Sequence, residues 1–267
     1  MATILEVRNL SKAFGGVKAV IDVSFSLEAG QLLAMIGPNG AGKSTCFNLI
    51  NGQLRPDRGN IVILGKKANG RKPRDVWNLG VGRTFQVTAT FASMSVLENV
   101  QMAMLSYHQH TKSLLKKVSR LYVDESMKLL NLLGIEDQAD RACGVLAYGD
   151  LKRVELAVAL ANNPKLLLMD EPTAGMGPAE RQSLMELTVD IVRTRQIGVL
   201  FTEHDMDVVF NYADRIIVLN RGERVVEGTP AEVQANEKVK EIYLGRGETT
   251  AQARKESETT IQQEKTI

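Results

Sequence analysis

The chain opens on two segments whose apolar positions follow strand periodicity. Ile4-Leu5-Glu6-Val7 starts the first, and Val20, Ile21, Val23, Phe25 and Leu27 mark the second. Alternation with period two predicts strands with one buried face, joined by the turn Phe14-Gly15-Gly16. Residues 31–36 differ: they form a short, nearly continuous apolar run, the pattern of a strand buried on both faces. A Gly-rich loop follows, then a helix predicted over 43–51 and a strand over 60–64. From about residue 94 to 160 the apolar residues recur at helical spacing, as in Val123, Met127, Leu130 and Leu133, and in Val154, Ala157, Val158 and Ala161. No strand pattern interrupts them. Beyond lie a strand at 166–170, a helix at 179–195, a strand at 197–202, a helix at 205–212 and a strand at 215–219. A short pair of strands around Arg221-Gly222-Glu223 and a helix after Thr229-Pro230 close the fold. Strands alternating with helices predict an α/β chain with a mostly parallel sheet, into which a helical stretch is inserted over about residues 90–162.

The end of the chain breaks this pattern. Residues 246–267 are rich in Glu, Thr, Gln and Lys and carry no aromatic residue. Such a segment buries too little apolar surface to offset its ordering entropy, so a polar tail, disordered or partly helical, is expected after a domain spanning 1–245.

Charge and composition narrow the function classes. Thirty-three Lys+Arg against 31 Asp+Glu give a net charge of +2, which is no electrostatic footprint for nucleic acid. No apolar run approaches the roughly 18 residues of a membrane span. The start Met1-Ala2-Thr3-Ile4-Leu5-Glu6 lacks a basic region followed by an apolar stretch, so no secretory signal is expected. Cys46 and Cys143 form neither a disulfide framework nor a metal-site spacing, and a reducing cytosol is the expected setting. Cys46, on the helix after the Gly-rich loop, reads as a small core residue. The cluster Lys66, Lys67, Arg71, Lys72 and Arg74 admits a phospholipid reading, with a solvated loop face as the plainer one. His108, His110, Lys112, Lys116, Lys117 and Arg120 likewise read as surface.

The Gly-rich loop carries the first chemistry. Gly37-Pro38-Asn39-Gly40-Ala41-Gly42-Lys43-Ser44, followed by Thr45, fits the phosphate-loop pattern, with a buried strand before it and a helix after it. Glycines permit positive φ and turn backbone N–H groups inward on a phosphate, and the positive end of the helix faces the same anion. Lys43 would reach the β- and γ-phosphates, and the Ser44 hydroxyl would ligate Mg²⁺. The strand Leu166-Leu167-Leu168-Met169 ends in Asp170-Glu171. Asp170 would hold Mg²⁺, and Glu171 would polarise an attacking water as general base.

Further motifs narrow the class. Leu146-Ala147-Tyr148-Gly149-Asp150 opens a predicted helix, Gln86 ends the run Gly82-Arg83-Thr84-Phe85-Gln86, and His204 follows a strand in Phe201-Thr202-Glu203-His204-Asp205. In this order and spacing, over residues 3–245, the chain resembles the ATP-binding subunits of ABC transporters. That resemblance implies a P-loop NTPase core with a mostly parallel sheet, an N-terminal antiparallel β subdomain and an α-helical subdomain. It implies ATP and Mg²⁺ as cofactors, with Phe14 stacking on adenine (as against a core aromatic). Gln86 would sense Mg²⁺ and the attacking water and couple to the membrane subunit, and His204 would touch the γ-phosphate. Ala147, Tyr148 and Gly149 would close on ATP held by a second protomer, and the loop 174–177 would cross the dimer seam.

The stretch departs from the family's common Leu-Ser-Gly-Gly-Gln: Ala147 replaces Ser, Tyr148 a Gly and Asp150 the Gln. Leu-Ala-Tyr-Gly variants resemble the importers of branched-chain and related hydrophobic amino acids. Arg83-Thr84-Phe85-Gln86, Ala174-Gly175-Met176-Gly177-Pro178 and Ile242-Tyr243-Leu244-Gly245 point the same way. Leu151 stands where that branch usually has a polar residue. The implied assembly is a homodimer or a heterodimer with a second ABC ATPase, on separate transmembrane permease subunits that contact residues 86–98 and the helix 96–105. An extracytoplasmic solute-binding protein is an indirect partner, and nucleic acid is none. The implied location is peripheral, on the cytoplasmic face of a bacterial or archaeal inner membrane. A transporter for urea, amides, organic acids or lipid is the alternative, and a soluble non-transport ATPase of the superfamily a more distant one.

Overall fold

The computed structural model describes residues 2–84, 90–108 and 121–243. Strands β1 (Thr3–Phe14) and β2 (Val17–Glu28) form an antiparallel hairpin whose turn is made by Gly15 and Gly16, both at positive φ. β4 (Arg58–Ile63) pairs antiparallel with β1, and the two-residue β5 (Lys66–Lys67) forms the sheet edge, in the order β2-β1-β4-β5. A second sheet has the order β10-β9-β3-β8-β7-β6. Its members are β3 (Leu32–Ile36), β6 (Val81–Arg83), β7 (Leu166–Asp170), β8 (Gly198–Thr202), β9 (Arg215–Asn220) and β10 (Glu223–Gly228). All of its pairings are parallel except the β9–β10 hairpin.

The central strands explain why the sequence runs of 31–36 and 166–170 are continuously apolar. Successive side chains of a strand point to opposite faces, and here both faces are covered. Leu33 and Met35 of β3, with Leu166 and Leu168 of β7, join a core layer shared with the antiparallel sheet and with Phe47 and Ile50 of α1 (Lys43–Ile50). Ala34, Ile36, Leu167 and Met169 face the other way, into the core formed with the helices. That second core holds α3 (Val96–Tyr107), α4 (Val123–Leu132), α5 (Tyr148–Leu160) and α6 (Pro178–Arg195). Ser95 and Glu98 close a capping box at the start of α3. Helices α7 (Met206–Tyr212) and α8 (Pro230–Ala235) complete the described fold.

Three small elements escaped the sequence pattern: β5, α2 (Pro73–Asn78) and β6. Six residues or fewer cannot display a period. In β6 the central residue is Gly82, where a Cβ would stand 2.3 Å from the Ala159 carbonyl oxygen at the end of α5. Close backbone packing, rather than side-chain alternation, defines this strand. Lys66, Lys67, Arg71, Lys72 and Arg74 are all exposed, as a solvated face requires. His108 is exposed and stacks on Tyr122 at 4.7 Å between centroids. His110, Lys112, Lys116, Lys117, Arg120 and the tail 246–267 lie outside the described residues. Among the described residues no helix is long and apolar enough to cross a membrane.

Both cysteines are buried and free. Burial pushes the Cys46 thiol up to about 12 and also raises that of Cys143. The thiolate is the reactive form. An aromatic disulfide reagent at pH 8 is therefore expected to label neither residue in the folded chain and both after denaturation. Rapid labelling of the native protein would contradict this packing.

Candidate functional site

Residues 37–42 connect β3 to α1 in a loop that only glycine can follow without strain at three positions, with Gly37 at φ 150°, Gly40 at 81° and Gly42 at 105°. Lys43 is buried, and its Nζ donates back to the carbonyls of Gly37 at 2.6 Å and Pro38 at 3.3 Å. The ammonium thus ties the loop into a ring at the N-terminus of α1. Ser44 is exposed beside it. A cleft of about 420 Å³ is lined by residues 39–45 together with Ala19, Glu171 and His204. Loop, hairpin, β7 end and β8 end, far apart in the sequence, meet in this one place.

The opposite wall is acidic. Asp170 closes β7, and strand register sets Thr202 of β8 directly beside it. The Thr202 hydroxyl donates to Asp170 Oδ1 at 2.7 Å, while Asp170 Oδ2 lies 3.7 Å from the Arg83 guanidinium. Burial lowers the Arg83 pKa, and the Asp170 carboxylate opposes that shift. Arg83 also donates to Asn48 of α1 at 3.0 Å and to Gln53 at 3.1 Å. Glu171 leaves the strand at φ 50°, in the left-handed region, with its N–H held by Thr202. Its Oε1 lies 2.9 Å from His204 Nε2. A neighbouring pair, Thr173 and Glu203, fixes the following loop: Glu203 Oε1 accepts from the Thr173 N–H at 2.9 Å and from its hydroxyl at 2.6 Å. Arg83, Thr202 and Glu203 carried no site role in the sequence reading. Their signal is cross-strand register, which no single motif contains.

Phe14 is 45% exposed at the end of β1, with Lys12 Nζ 5.4 Å from its ring centroid, so it is not a core aromatic. Its hairpin touches the loop, since the Ala19 carbonyl sits 2.4 Å from where a Cβ of Gly42 would be. Gln86 lies outside the described residues. Ala147 is the extended N-cap of α5, and Tyr148 and Gly149 form its first turn together with Asp150, where a carboxylate suits the helix. Within the chain these residues do not line the phosphate-loop cleft. Ala147 and Gly149 line a separate depression of about 280 Å³ with Glu180 and Met176. Tyr148 packs on the loop that follows β7: a Cβ at Gly175 would stand 3.3 Å from its ring. Leu151 packs partly buried against the helical core, which accounts for its apolar character.

A phosphate loop, a strand-end glutamate and a histidine in one cleft, with Asp170 buried just behind the glutamate, are common to many nucleotide hydrolases. The comparison with known families decides among them: residues 20–174 match the model of the ABC transporter family. The chain belongs to that family. A second model, the branched-chain amino acid ATP-binding cassette transporter, matches residues 223–249. Among curated ABC relatives, the high-affinity branched-chain amino acid transport ATP-binding protein LivG of Salmonella typhimurium is 36% identical over 252 residues, 91% of this chain and 98% of its own. Among solved cassettes, the ADP conformation of an ATP-binding cassette of an ABC transporter superposes with a TM-score of 0.83 at 34% identity, covering 92% of this chain and 100% of the other. A bacterial ABC transporter cassette solved as a dimer gives 0.73 at 25% identity, covering 85% and 99%. The α/β cassette fold expected from the sequence is the fold found, with its antiparallel and parallel sheets and its helical core.

Proposed function

We propose that this chain binds and hydrolyses ATP as the energising subunit of an importer for branched-chain or related hydrophobic amino acids. The observation that carries the ATPase reading is the single cleft in which Glu171 and His204, 2.9 Å apart, face the phosphate loop. Residues 37–45 cradle the phosphates with backbone N–H groups, and Lys43 exchanges its loop carbonyls for phosphate oxygens. Phe14, exposed on the adjoining hairpin, stacks on the base. The Ser44 hydroxyl and the Asp170 carboxylate are hard oxygen donors beside a phosphate site, the donor set that Mg²⁺ takes along with water and phosphate oxygens. When bound, that ion would neutralise charge building on the phosphates.

Glu171 accepts the proton of the attacking water as the water oxygen bonds the γ-phosphorus and the bond to ADP breaks. His204 orients the Glu171 carboxylate and reaches the γ-phosphate, and Gln86 completes the water site and passes its state to the membrane subunits. Ala147–Gly149 serve a nucleotide on a second cassette, since they open away from their own cleft. With Ala147 lacking a hydroxyl, backbone N–H groups at the start of α5 make that contact. The cassette comprises residues 1–245 with its helical subdomain at about 90–162, and 246–267 form a polar tail. Exposed Phe91 and Met102, before and on α3, support docking of permease subunits at residues 86–105. In this reading the chain works peripherally, on the cytoplasmic face of the membrane.

The amino-acid class rests on the match at 223–249 and on the relatives' names. The test is reconstitution of the chain with the membrane subunits and solute-binding protein that purify with it, in proteoliposomes holding ATP. Uptake of leucine, isoleucine or valine is the expected result. Uptake of urea or an organic acid instead would move the chain to another importer class. Purification with no membrane chain at all would overturn the transport reading.

A further inference from the structure

A buried ion pair lies on the inner face of α5, outside the nucleotide cleft. Lys152 Nζ meets Glu155 Oε2 at 3.0 Å, and the two side chains are only 3% and 6% exposed. Taking two charges out of water is costly, and an apolar pair of similar volume often serves stability as well or better. The pair's surroundings suggest what it does instead. Toward the surface, the same Lys152 ammonium sits 5.4 Å from the Tyr148 ring centroid. The ring also lies over Gly175, in the loop after Glu171, where an added Cβ would stand 3.3 Å from it. Toward the interior, Glu155 Oε1 and Thr84 Oγ1 are both buried without a partner among the described residues. They line a common cavity of about 10 Å³ with Met169 and Pro172. Such a volume is about that of one water centre, and a water there would bridge the two orphaned oxygens. Thr84 is itself pinned to β7 through its N–H to the Leu168 carbonyl at 3.0 Å and immediately precedes residues 85–89.

We infer that Lys152 and Glu155 are positioning residues that hold Tyr148, and through it the loop at Gly175, in register with the segment that begins at Thr84. The line Gly175–Tyr148–Lys152–Glu155–Thr84 joins three pieces of the nucleotide machinery from behind: the seam loop, the start of α5 and the stem of the Gln86 segment. Each link is a contact or a shared cavity, so a shift of α5 is felt at both ends. A cation over an aromatic face, desolvated on its far side, fixes the ring's tilt more firmly than apolar packing alone. This inference rests on the reading that Ala147–Gly149 meet a nucleotide on a second subunit.

The test uses the full chain with Lys152→Met and Glu155→Leu combined, which removes both charges and conserves volume. This double variant is expected to fold with near-parental Tm and to bind a fluorescent ATP analogue at the phosphate loop with unchanged affinity. Hydrogen exchange at 147–151 and 173–177 in the nucleotide-free chain should rise about three- to fivefold, the loss of one cation–π contact on a half-exposed ring. In a Glu171→Gln background the ATP needed for half-maximal dimerisation should rise by a similar factor. Lys152→Arg, which keeps the cation, should leave both readouts near parental. Lys152→Gln with Glu155→Gln, still able to hydrogen-bond, replaces the apolar double variant if that one does not fold. Parental exchange in the folded double variant would overturn the positioning role. Absence of ATP-dependent dimerisation in the Glu171→Gln parent would instead overturn the two-subunit reading, while the exchange measurement still judges the pair.

Discussion

Glu171→Gln is expected to lower ATP turnover by about 10³-fold while leaving ATP binding intact, so that the chain accumulates as an ATP-bound dimer. The geometry makes the change local. Glutamine is isosteric, and the Glu171 N–H would still be held by Thr202, so the left-handed turn at φ 50° survives. Asp170 keeps its Thr202 hydroxyl bond and its Arg83 neighbour. What would vanish is the proposed acceptor for the water's proton, since an amide has no comparable basicity. Phosphate release in a single turnover measures the loss, and light scattering with ATP measures the dimer. His204→Ala should cost less, because His204 is half exposed and acts on the same carboxylate rather than replacing it. Turnover in Glu171→Gln within threefold of the parent would show that the proton goes elsewhere. A large loss in His204→Ala alone would then make the histidine the acceptor.

The contrast between these two residues shows what the sequence could carry. The buried strands at 31–36 and 166–170 announce themselves because both faces of the parallel sheet are covered, and a strand covered on both sides must be apolar throughout. The phosphate loop is legible because its chemistry needs contiguous residues. Glu171 is legible because a strand-end carboxylate must follow that apolar run. The Glu171–His204 pairing needs β7 and β8 to be neighbours, which the order β3-β8-β7 provides and the linear order does not. Thr202, Arg83 and the Lys152–Glu155 pair were illegible for the same reason: each acquires its role from a residue on another element or from what covers it. β6 was missed because its defining property is the approach of the Ala159 carbonyl to Gly82, a tertiary fact written in the sequence only as one glycine.

Tertiary contacts also make the glycines of the phosphate loop unequal. At Gly42 a Cβ would meet the Ala19 carbonyl oxygen at 2.4 Å, and φ is 105°. At Gly40, φ is 81° but no atom lies within 4 Å of the added carbon. Gly40→Ala therefore carries backbone strain alone, about 1–2 kcal/mol. Gly42→Ala adds an overlap with backbone that no side-chain rotation relieves, for a total of about 3–5 kcal/mol. For a chain of this size that is a fall in Tm of about 10 °C, against a few degrees for Gly40→Ala. The functional penalty should diverge further. Gly42 is the N-cap of α1, directly before Lys43, whose Nζ reaches back to Gly37 and Pro38. Relief of the overlap must move either the hairpin that carries Ala19 and Phe14 or the N-terminus of α1, and both wall the cleft. ATP affinity is expected to fall at least about 100-fold in Gly42→Ala, the equivalent of losing one or two charge-assisted phosphate contacts. Gly40→Ala should lose far less. Thermal melts and equilibrium binding of a fluorescent ATP analogue to both variants read the two effects separately. Equal losses at the two positions would mean that loop strain, not the Ala19 carbonyl, is what makes Gly42 necessary.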